Sequence, residues 1–455
     1  MTLMDNGSAA GVSRVTLPGH APGSPLPCAA VPVDPWHRDV ARDVEQRAPR
    51  RSLLEGAVRR TLGGLRVGSL TLHTPHGVVT YGDASGPDAH GVAHVHDERF
   101  WQALALRGSV GAGEAYAHGW WSSPEPADVV RVFVANHAAL EEMEGGLARL
   151  SRPVLKAFHA LRDNTRRGAA KNISAHYDLS NEFFGLFLDP SMTYSSAVFE
   201  ESTMSLEAAQ HAKIDRLCER LGLGPTDHLL EIGTGWGAFA IRAAERFGCK
   251  VTTTTISRQQ HDFARERIER AGLSDRIELV LEDYRDLRGT FSKAVSVEMV
   301  EAVGARHSGS YFSNIGRLLE PGGAFACQAI TIHDRHFDRA RRAVDFIQRH
   351  IFPGSCIPSV SVLTDAAREA SDMRLVHLED IGEHYVPTLR IWRDALRARR
   401  DEAQAIGFDD TFLRLFDFYF AYCEGGFAER HISVAHLVYA REGRRFSPTI
   451  ARSVR

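Results

Sequence analysis

Cysteine is scarce and scattered in this chain. The six thiols, Cys28, Cys218, Cys249, Cys327, Cys356 and Cys423, lie far apart and none forms a CxxC pair. Such spacing resembles neither a zinc site nor a disulfide framework, so no metal is expected and a reducing cytoplasm fits best. Long apolar runs are missing as well: none approaches the roughly 18–20 residues that span a bilayer. The first residues hold no basic segment followed by an apolar stretch, so no signal peptide is expected. Charge of one sign is also lacking. Lys and Arg total 54 against 57 Asp and Glu, a formal net charge of −3, which speaks against nucleic-acid binding yet permits a local basic patch. No internal repeat is visible. If such a protein meets lipid, it does so from the aqueous side.

What is present is the make-up of an ordinary globular protein, 44% hydrophobic and 24% charged. A length of 455 residues predicts two domains and a tail. Residues 1–45, rich in Pro, Gly, Ala and Ser without a steady hydrophobic period, read as a disordered tail. Residues 46–150 read as a small α+β domain. It has β-like runs at Leu65–Val67 and Gly77–Tyr81 and helical text over Glu98–Leu106 and Pro126–Leu140. Gly113-Glu114-Ala115-Tyr116 and Gly119-Trp120-Trp121 fall between those helices. Residues 151–171 form a basic connector with Lys156, Arg162, Arg166, Arg167 and Lys171, either a solvated linker or a contact for anionic headgroups. A larger domain follows over 172–445. Its strand-like runs at 228–232, 250–256, 276–281, 293–297 and 324–331 alternate with helices or turns, which predicts a parallel, doubly wound α/β sheet. Residues 431–440 read as a late strand closing that sheet antiparallel.

The stretch Leu229-Leu230-Glu231-Ile232-Gly233-Thr234-Gly235-Trp236-Gly237 runs a buried strand into three alternating glycines and a helix. Glycine turns the chain sharply and lets a ligand lie against bare backbone. Open α/β sheets bind ligands at this kind of place. A phosphate loop would need Gly-Lys-Ser/Thr, which is absent. A dinucleotide site prefers GxGxxG and an acid about 20 residues on, whereas here the spacing is GxGxG and the second strand ends in Thr252-Thr253-Thr254-Thr255-Ile256-Ser257. The form suits a nucleoside carrying an amino acid, with Glu231 orienting the turn or meeting an ammonium group through water. Gly237 completes the turn. Glu282-Asp283-Tyr284 follows the third strand, where a carboxylate can accept from an adenine amine. An ordinary surface loop would read the same.

Further motifs occur in order: Ala175-His176-Tyr177-Asp178-Leu179-Ser180, Leu188-Asp189-Pro190-Ser191-Met192-Thr193-Tyr194-Ser195, Glu207-Ala208-Ala209-Gln210 with Lys213, Thr255-Ile256-Ser257 with Gln260, and Phe352-Pro353-Gly354. Together they resemble the cyclopropane fatty acid synthase family, which includes mycolic acid and other lipid methyltransferases, over about residues 100–440. The resemblance implies a Rossmann-like class I methyltransferase sheet with a smaller N-terminal α+β domain that engages lipid. It implies S-adenosylmethionine as donor, with Tyr194, Ser195, Gly233, Gly235, Thr255 and Gln260 lining its site, and Tyr177 and Glu301 facing an acyl pocket. The implied reaction is C-methylation of the cis double bond of unsaturated phospholipid acyl chains.

The chain also departs from that family. Ser196 stands where ring-forming members commonly have Cys, Gln328 where they have His, and Ala302 where they have His after the Glu matched by Glu301. The Cys and His help hold a bicarbonate ion taken to be the proton acceptor, and Tyr385 and Glu301 match its other two side chains. Ser196 and Gln328 can still donate hydrogen bonds to an anion, so a bound bicarbonate stays open. So does the product: a cyclopropane ring, or a 10-methylene chain that a partner reductase would turn into a methyl branch. Glu301 is expected to organise the base, and Tyr177, Phe184 or Tyr385 to face the carbocation. The segment Arg335–Ile351 reads as a basic amphipathic helix, either docking on an anionic membrane or covering the pocket. A homodimer is compatible with all of this. Two rivals remain: a methyltransferase of soluble small molecules, and a non-catalytic lipid-binding protein.

Overall fold

Helix α1 (Arg51–Leu62) leads into a four-stranded sheet made of β1 (Ser69–Thr74), β2 (Gly77–Gly82), β3 (His90–Val95) and β4 (Trp121–Ser122), in the order β2-β1-β3-β4. Helix α2 (Arg99–Ala117) joins β3 to β4, and α3 (Pro126–Ala135) packs on β3. The computed structural model describes residues 51–137, 179–304 and 306–443. The tail 1–45, the connector 151–171, His176 and Tyr177 therefore lie outside the described residues.

Two expectations for this region are corrected. Leu65–Val67 is not a strand, because the amides of Arg66 and Val67 donate to the Asn136 side chain at 2.7 and 3.0 Å instead of to a neighbouring strand. Gly113–Tyr116 lies inside α2, which runs on past a kink at Gly108. Gly113 has a packing role there: a Cβ at this position would collide with the ring of Phe346.

After α4 (Asn181–Phe184) and α5 (Leu206–Leu221), strand and helix alternate through β5 (His228–Ile232), α6 (Ala238–Phe247), β6 (Lys250–Thr255), α7 (Arg258–Arg270), β7 (Ile277–Leu281), β8 (Phe291–Val297), α8 (Ser308–Leu318) and β9 (Leu319–Ile332). The short helices α9 (Asp334–Ala340) and α10 (Phe346–His350) follow, then α11 (Val360–Ala370), β10 (Arg374–Asp380), α12 (Tyr385–Ala398), α13 (Arg400–Ala405), α14 (Asp410–Ala428) and β11 (Ile432–Ala440). The sheet order is β10-β11-β9-β8-β5-β6-β7, with β5 to β9 parallel and β11 antiparallel to both neighbours.

Alternate residues of one strand point to opposite faces, and here they feed two cores. Leu229 and Val295 pack with residues of α5 and α6, whereas Leu230 and Ala294 pack with residues of α8 and α11. That is the doubly wound Rossmann-like arrangement. Strand β10 was not legible beforehand, because as an edge strand it is half exposed along its length and lacks a buried period. The expected single helix over Arg335–Ile351 is two, since Asp345 starts α10 anew with a capping box to Gln348.

A buried charge cluster ties the parts together. Arg393 on α12 and Glu424 on α14, each 1% exposed, stand 3.3 Å apart, and Arg393 also reaches Glu125, the N-cap of α3, at 2.6 Å. Removing one partner strands the other charge. Glu424→Ala is expected to cost about 3 kcal/mol, the lower end for a broken buried pair because Glu125 remains. Chemical denaturation checks this, and a loss under about 1 kcal/mol would contradict it.

Candidate active site

The strand order reverses between β5 and β8, so the chain leaves the carboxyl ends of these adjacent strands in different directions and opens a crevice. The glycine turn follows β5. Glu298, Met299 and Glu301 follow β8. All six of Glu231, Gly233, Gly235, Glu298, Met299 and Glu301 line one cavity of about 750 Å³, a size suited to a cofactor and part of a chain-like substrate.

On the donor side, Gly233 and Gly235 have φ of +98° and +53°, a region that disfavours side chains. A Cβ on Gly235 would meet nothing within 4 Å and would project into this space. Gly237 is different: it caps α6, its Cβ position faces Ala264 at 3.3 Å, and it does not line the cavity. The four threonines of β6 are buried, and each hydroxyl has a partner. These are His228, Glu231, the Glu282 carbonyl and Gln260 respectively. The Glu231 carboxyl accepts from Thr253 at 2.6 Å, and burial, opposed by that bond, pushes its pKa up to about 8. Thr255, Gln260, Glu282 and Asp283 all reach the cavity wall, Asp283 paired with Arg285 at 2.6 Å. So do Tyr194, bonded to the Tyr419 hydroxyl at 2.9 Å, and Ser195, which accepts from Lys213 Nζ at 2.6 Å. Bare backbone, a buried acid that a cation would ionise, and an amide beside a hydroxyl fit the nucleoside and amino-acid ends of S-adenosylmethionine.

On the other side, Glu301 sits in the turn Val300–Ala302, and its Oε1 accepts from the Ile330 amide. Its Oε2 is buried without a hydrogen-bond partner among the described residues. Burial, and then the charge of Glu298, push Glu301 up to about 8. Glu298 stands out. It is a non-glycine residue at φ +47°, conformational strain of the kind that clusters at functional sites. Its Oε1 accepts from the Ser196 amide at 2.9 Å and Gln328 Nε2 at 2.8 Å, and its Oε2 from the Tyr385 hydroxyl at 2.8 Å. Burial raises its pKa, while Lys213 and these donors pull it back. Burial likewise pushes the Tyr385 hydroxyl well up, keeping it a donor.

Tyr385 lines the cavity, but Ser196 and Gln328 sit behind Glu298. Phe184 does not reach the cavity: it packs against Trp236 and Tyr194, ring centroids 4.9 and 5.3 Å away. Tyr385 packs instead against Phe427 on the same wall, ring centroids 4.6 Å apart and tilted by 33°. No motif picked out Glu298, Tyr419 or Phe427. The available signal for Glu298 was Ser296-Val297-Glu298-Met299-Val300-Glu301, two acids one turn apart at the end of a buried strand. Farther from the turn the wall is apolar: Leu104 and Ala112 of α2, Val130 and Phe133 of α3, and Phe418 of α14. Helix α10 contributes Ile347 and Gln348.

A family model described as mycolic acid cyclopropane synthetase matches residues 164–437. The chain is 40% identical over 353 residues to a tuberculostearic acid methyltransferase of Mycobacterium tuberculosis, spanning 75% of this chain and 82% of that protein. It is 32% identical over 360 residues to the cyclopropane-fatty-acyl-phospholipid synthase of Escherichia coli, spanning 76% and 87%. Among solved structures it is similar to a mycolic acid cyclopropane synthase complexed with SAH and CTAB, with a TM-score of 0.55 at 30% identity, covering 60% of this chain and 98% of that one. The chain belongs to the mycolic acid cyclopropane synthetase family of S-adenosylmethionine-dependent methyltransferases.

Proposed function

We propose that the protein methylates the cis double bond of unsaturated acyl chains in membrane phospholipids and then withdraws a proton from the methylated chain. The product is a methylene branch or a cyclopropane ring. The observation that carries this reading is one continuous cavity running from the bare glycine turn, past two buried carboxyls, to an apolar wall built by α2, α3 and α14. A methyltransferase of small polar molecules has no use for such a wall, and a lipid carrier has no use for the carboxyls.

When bound, the donor supplies a methyl group on a sulfonium, and its transfer to an alkene carbon leaves a cation on the acyl chain. The residues of this chain do the rest. Gly233 and Gly235 let the donor lie close, Glu231 meets its ammonium end and Gln260 its ribose. Tyr385 and Phe427 present aromatic faces to the cationic carbon, each worth roughly 0.5–2 kcal/mol. The ionised form of Glu301 adds electrostatic stabilisation in a site closed to water. The protein works from the aqueous side, at the inner face of the membrane, and a methylene product would be the substrate of a reductase.

Incubation with methyl-labelled donor and vesicles of oleoyl phospholipid tests this reading. Label in the extracted lipid is expected, and proton NMR of that lipid tells olefinic methylene from ring. Label only in water-soluble products would overturn it.

Donor binding should also release a proton. Glu231, near 8 in the free protein, is largely protonated at pH 7. A cationic ammonium beside it favours the charged form and lowers its pKa. Calorimetry with S-adenosylhomocysteine in buffers of different ionisation enthalpy should therefore show release approaching one proton at pH 7, fading above about pH 9. Equal heats in all buffers would contradict this.

A further inference from the structure

The family resemblance implies a bicarbonate ion held by the residues at 196, 301, 328 and 385, and in this chain their donors are already used. Gln328 Nε2 donates to Glu298 Oε1 and to the Ser196 carbonyl at 3.2 Å, and its Oε1 contacts His436 Nε2 at 2.9 Å. Ser196 gives its amide to Glu298 and its hydroxyl to the Ala197 carbonyl at 3.1 Å. Tyr385 gives its hydroxyl to Glu298. The strand register explains the convergence: Val297 pairs with Gln328 and Gln328 with His436 across β8, β9 and β11, so Glu298 leaves β8 beside that row. A bicarbonate does not fit this donor set. It would also stand beside two buried carboxyls, of which Glu298 has Lys213 as a nearby cation, a costly place for a third negative charge.

We infer that Glu298 replaces the anion: its own carboxylate is the proton acceptor, and the enzyme needs no bicarbonate. An ionised carboxylate has about four lone-pair sites. Ser196 and Gln328 fill two on Oε1 and Tyr385 fills one on Oε2, leaving one on Oε2 of a residue that lines the cavity. After methyl transfer, one C–H bond of the new methyl group breaks and its proton passes to Oε2. The electron pair of that bond closes the ring, or forms the methylene double bond once a hydride has shifted. The proton returns to water when products leave. Lys213, reaching Ser195 Oγ, adds a positive charge that favours the ionised form of Glu298 against burial, and the strained backbone holds the carboxylate toward the cavity.

This assignment rests on the function proposed above, and the test separates the two. In buffer freed of carbon dioxide, wild-type turnover on oleoyl phospholipid vesicles should change less than about twofold when bicarbonate is restored. Calorimetric titration of bicarbonate into the S-adenosylhomocysteine complex should show no binding heat. Glu298→Ala should keep donor affinity within about threefold and lose turnover more than about 100-fold. Added formate or bicarbonate should recover part of that turnover and raise Tm. Wild-type turnover that collapses without carbon dioxide, saturable bicarbonate heat, or an active Glu298→Ala protein would overturn the assignment. Should no lipid be methylated in either buffer, the proposed function fails, and the bicarbonate titration still decides what fills the anion site.

Discussion

Gly235→Val is expected to weaken donor binding by at least about 100-fold, roughly 3 kcal/mol, while the protein stays folded. The space beyond the Gly235 Cα is empty, with no heavy atom within 4 Å of a Cβ. A Cβ there meets nothing in the protein, and the side chain it carries projects into the ground proposed for the donor. The φ of +53° adds strain of about 1–2 kcal/mol for a branched residue, tolerable for a domain with several kcal/mol in reserve. Gly235→Ala separates the two effects, since it carries most of the strain with less of the bulk and should lose less affinity. Calorimetry with S-adenosylhomocysteine measures the affinities and thermal unfolding the strain. Wild-type affinity in Gly235→Val would remove the donor from this turn.

Glu301→Gln is expected to bind donor normally and lose turnover by about 10²–10³-fold, the range for removing one electrostatic stabiliser of the transition state. The amide oxygen still accepts from Ile330, so the turn survives, and the other end replaces an atom that had no partner. What disappears is the capacity for negative charge. The pH profile tells this from a packing defect. In the wild type Glu301 lies near 8 because of burial and the Glu298 charge. If its ionised form is the active one, kcat/KM rises with pH to about 8 and then levels off. In Glu301→Gln that limb should vanish or move to lower pH, because Glu298 no longer has an acid beside it. An unchanged profile with full activity would take Glu301 out of the mechanism.

How much of this was written in the amino-acid order differs from element to element. The main sheet was legible because its central strands are buried runs of Leu, Val, Ile and Thr bounded by turns, with both faces covered. The glycine turn was legible because φ above zero narrows the choice of residue. Leu65–Val67 misled because two amides of this strand-like text, those of Arg66 and Val67, found a side-chain acceptor, Asn136, 69 or more positions away. The break between α9 and α10 depended on one capping box.

Glu298 is the most instructive omission. Its neighbours in space come from positions 196, 328 and 385, and only strand register brings them together. The sequence does carry a trace. The two positions where ring-forming members commonly have Cys and His, Ser196 and Gln328 here, are those whose groups hold the Glu298 carboxylate. Taken one at a time, Ser196 and Gln328 can still donate to an anion; taken together with Tyr385, their donors to such a site go to Glu298.

The most direct test of the account is the deuterium count of the lipid product made from donor bearing a fully deuterated methyl group. Methyl transfer to an alkene followed by proton loss from that methyl predicts product that keeps two of the three deuterium atoms, whether ring or methylene. Product keeping all three would mean simple transfer to a heteroatom or a different route from the cation, and would contradict a proton acceptor beside the methylated carbon.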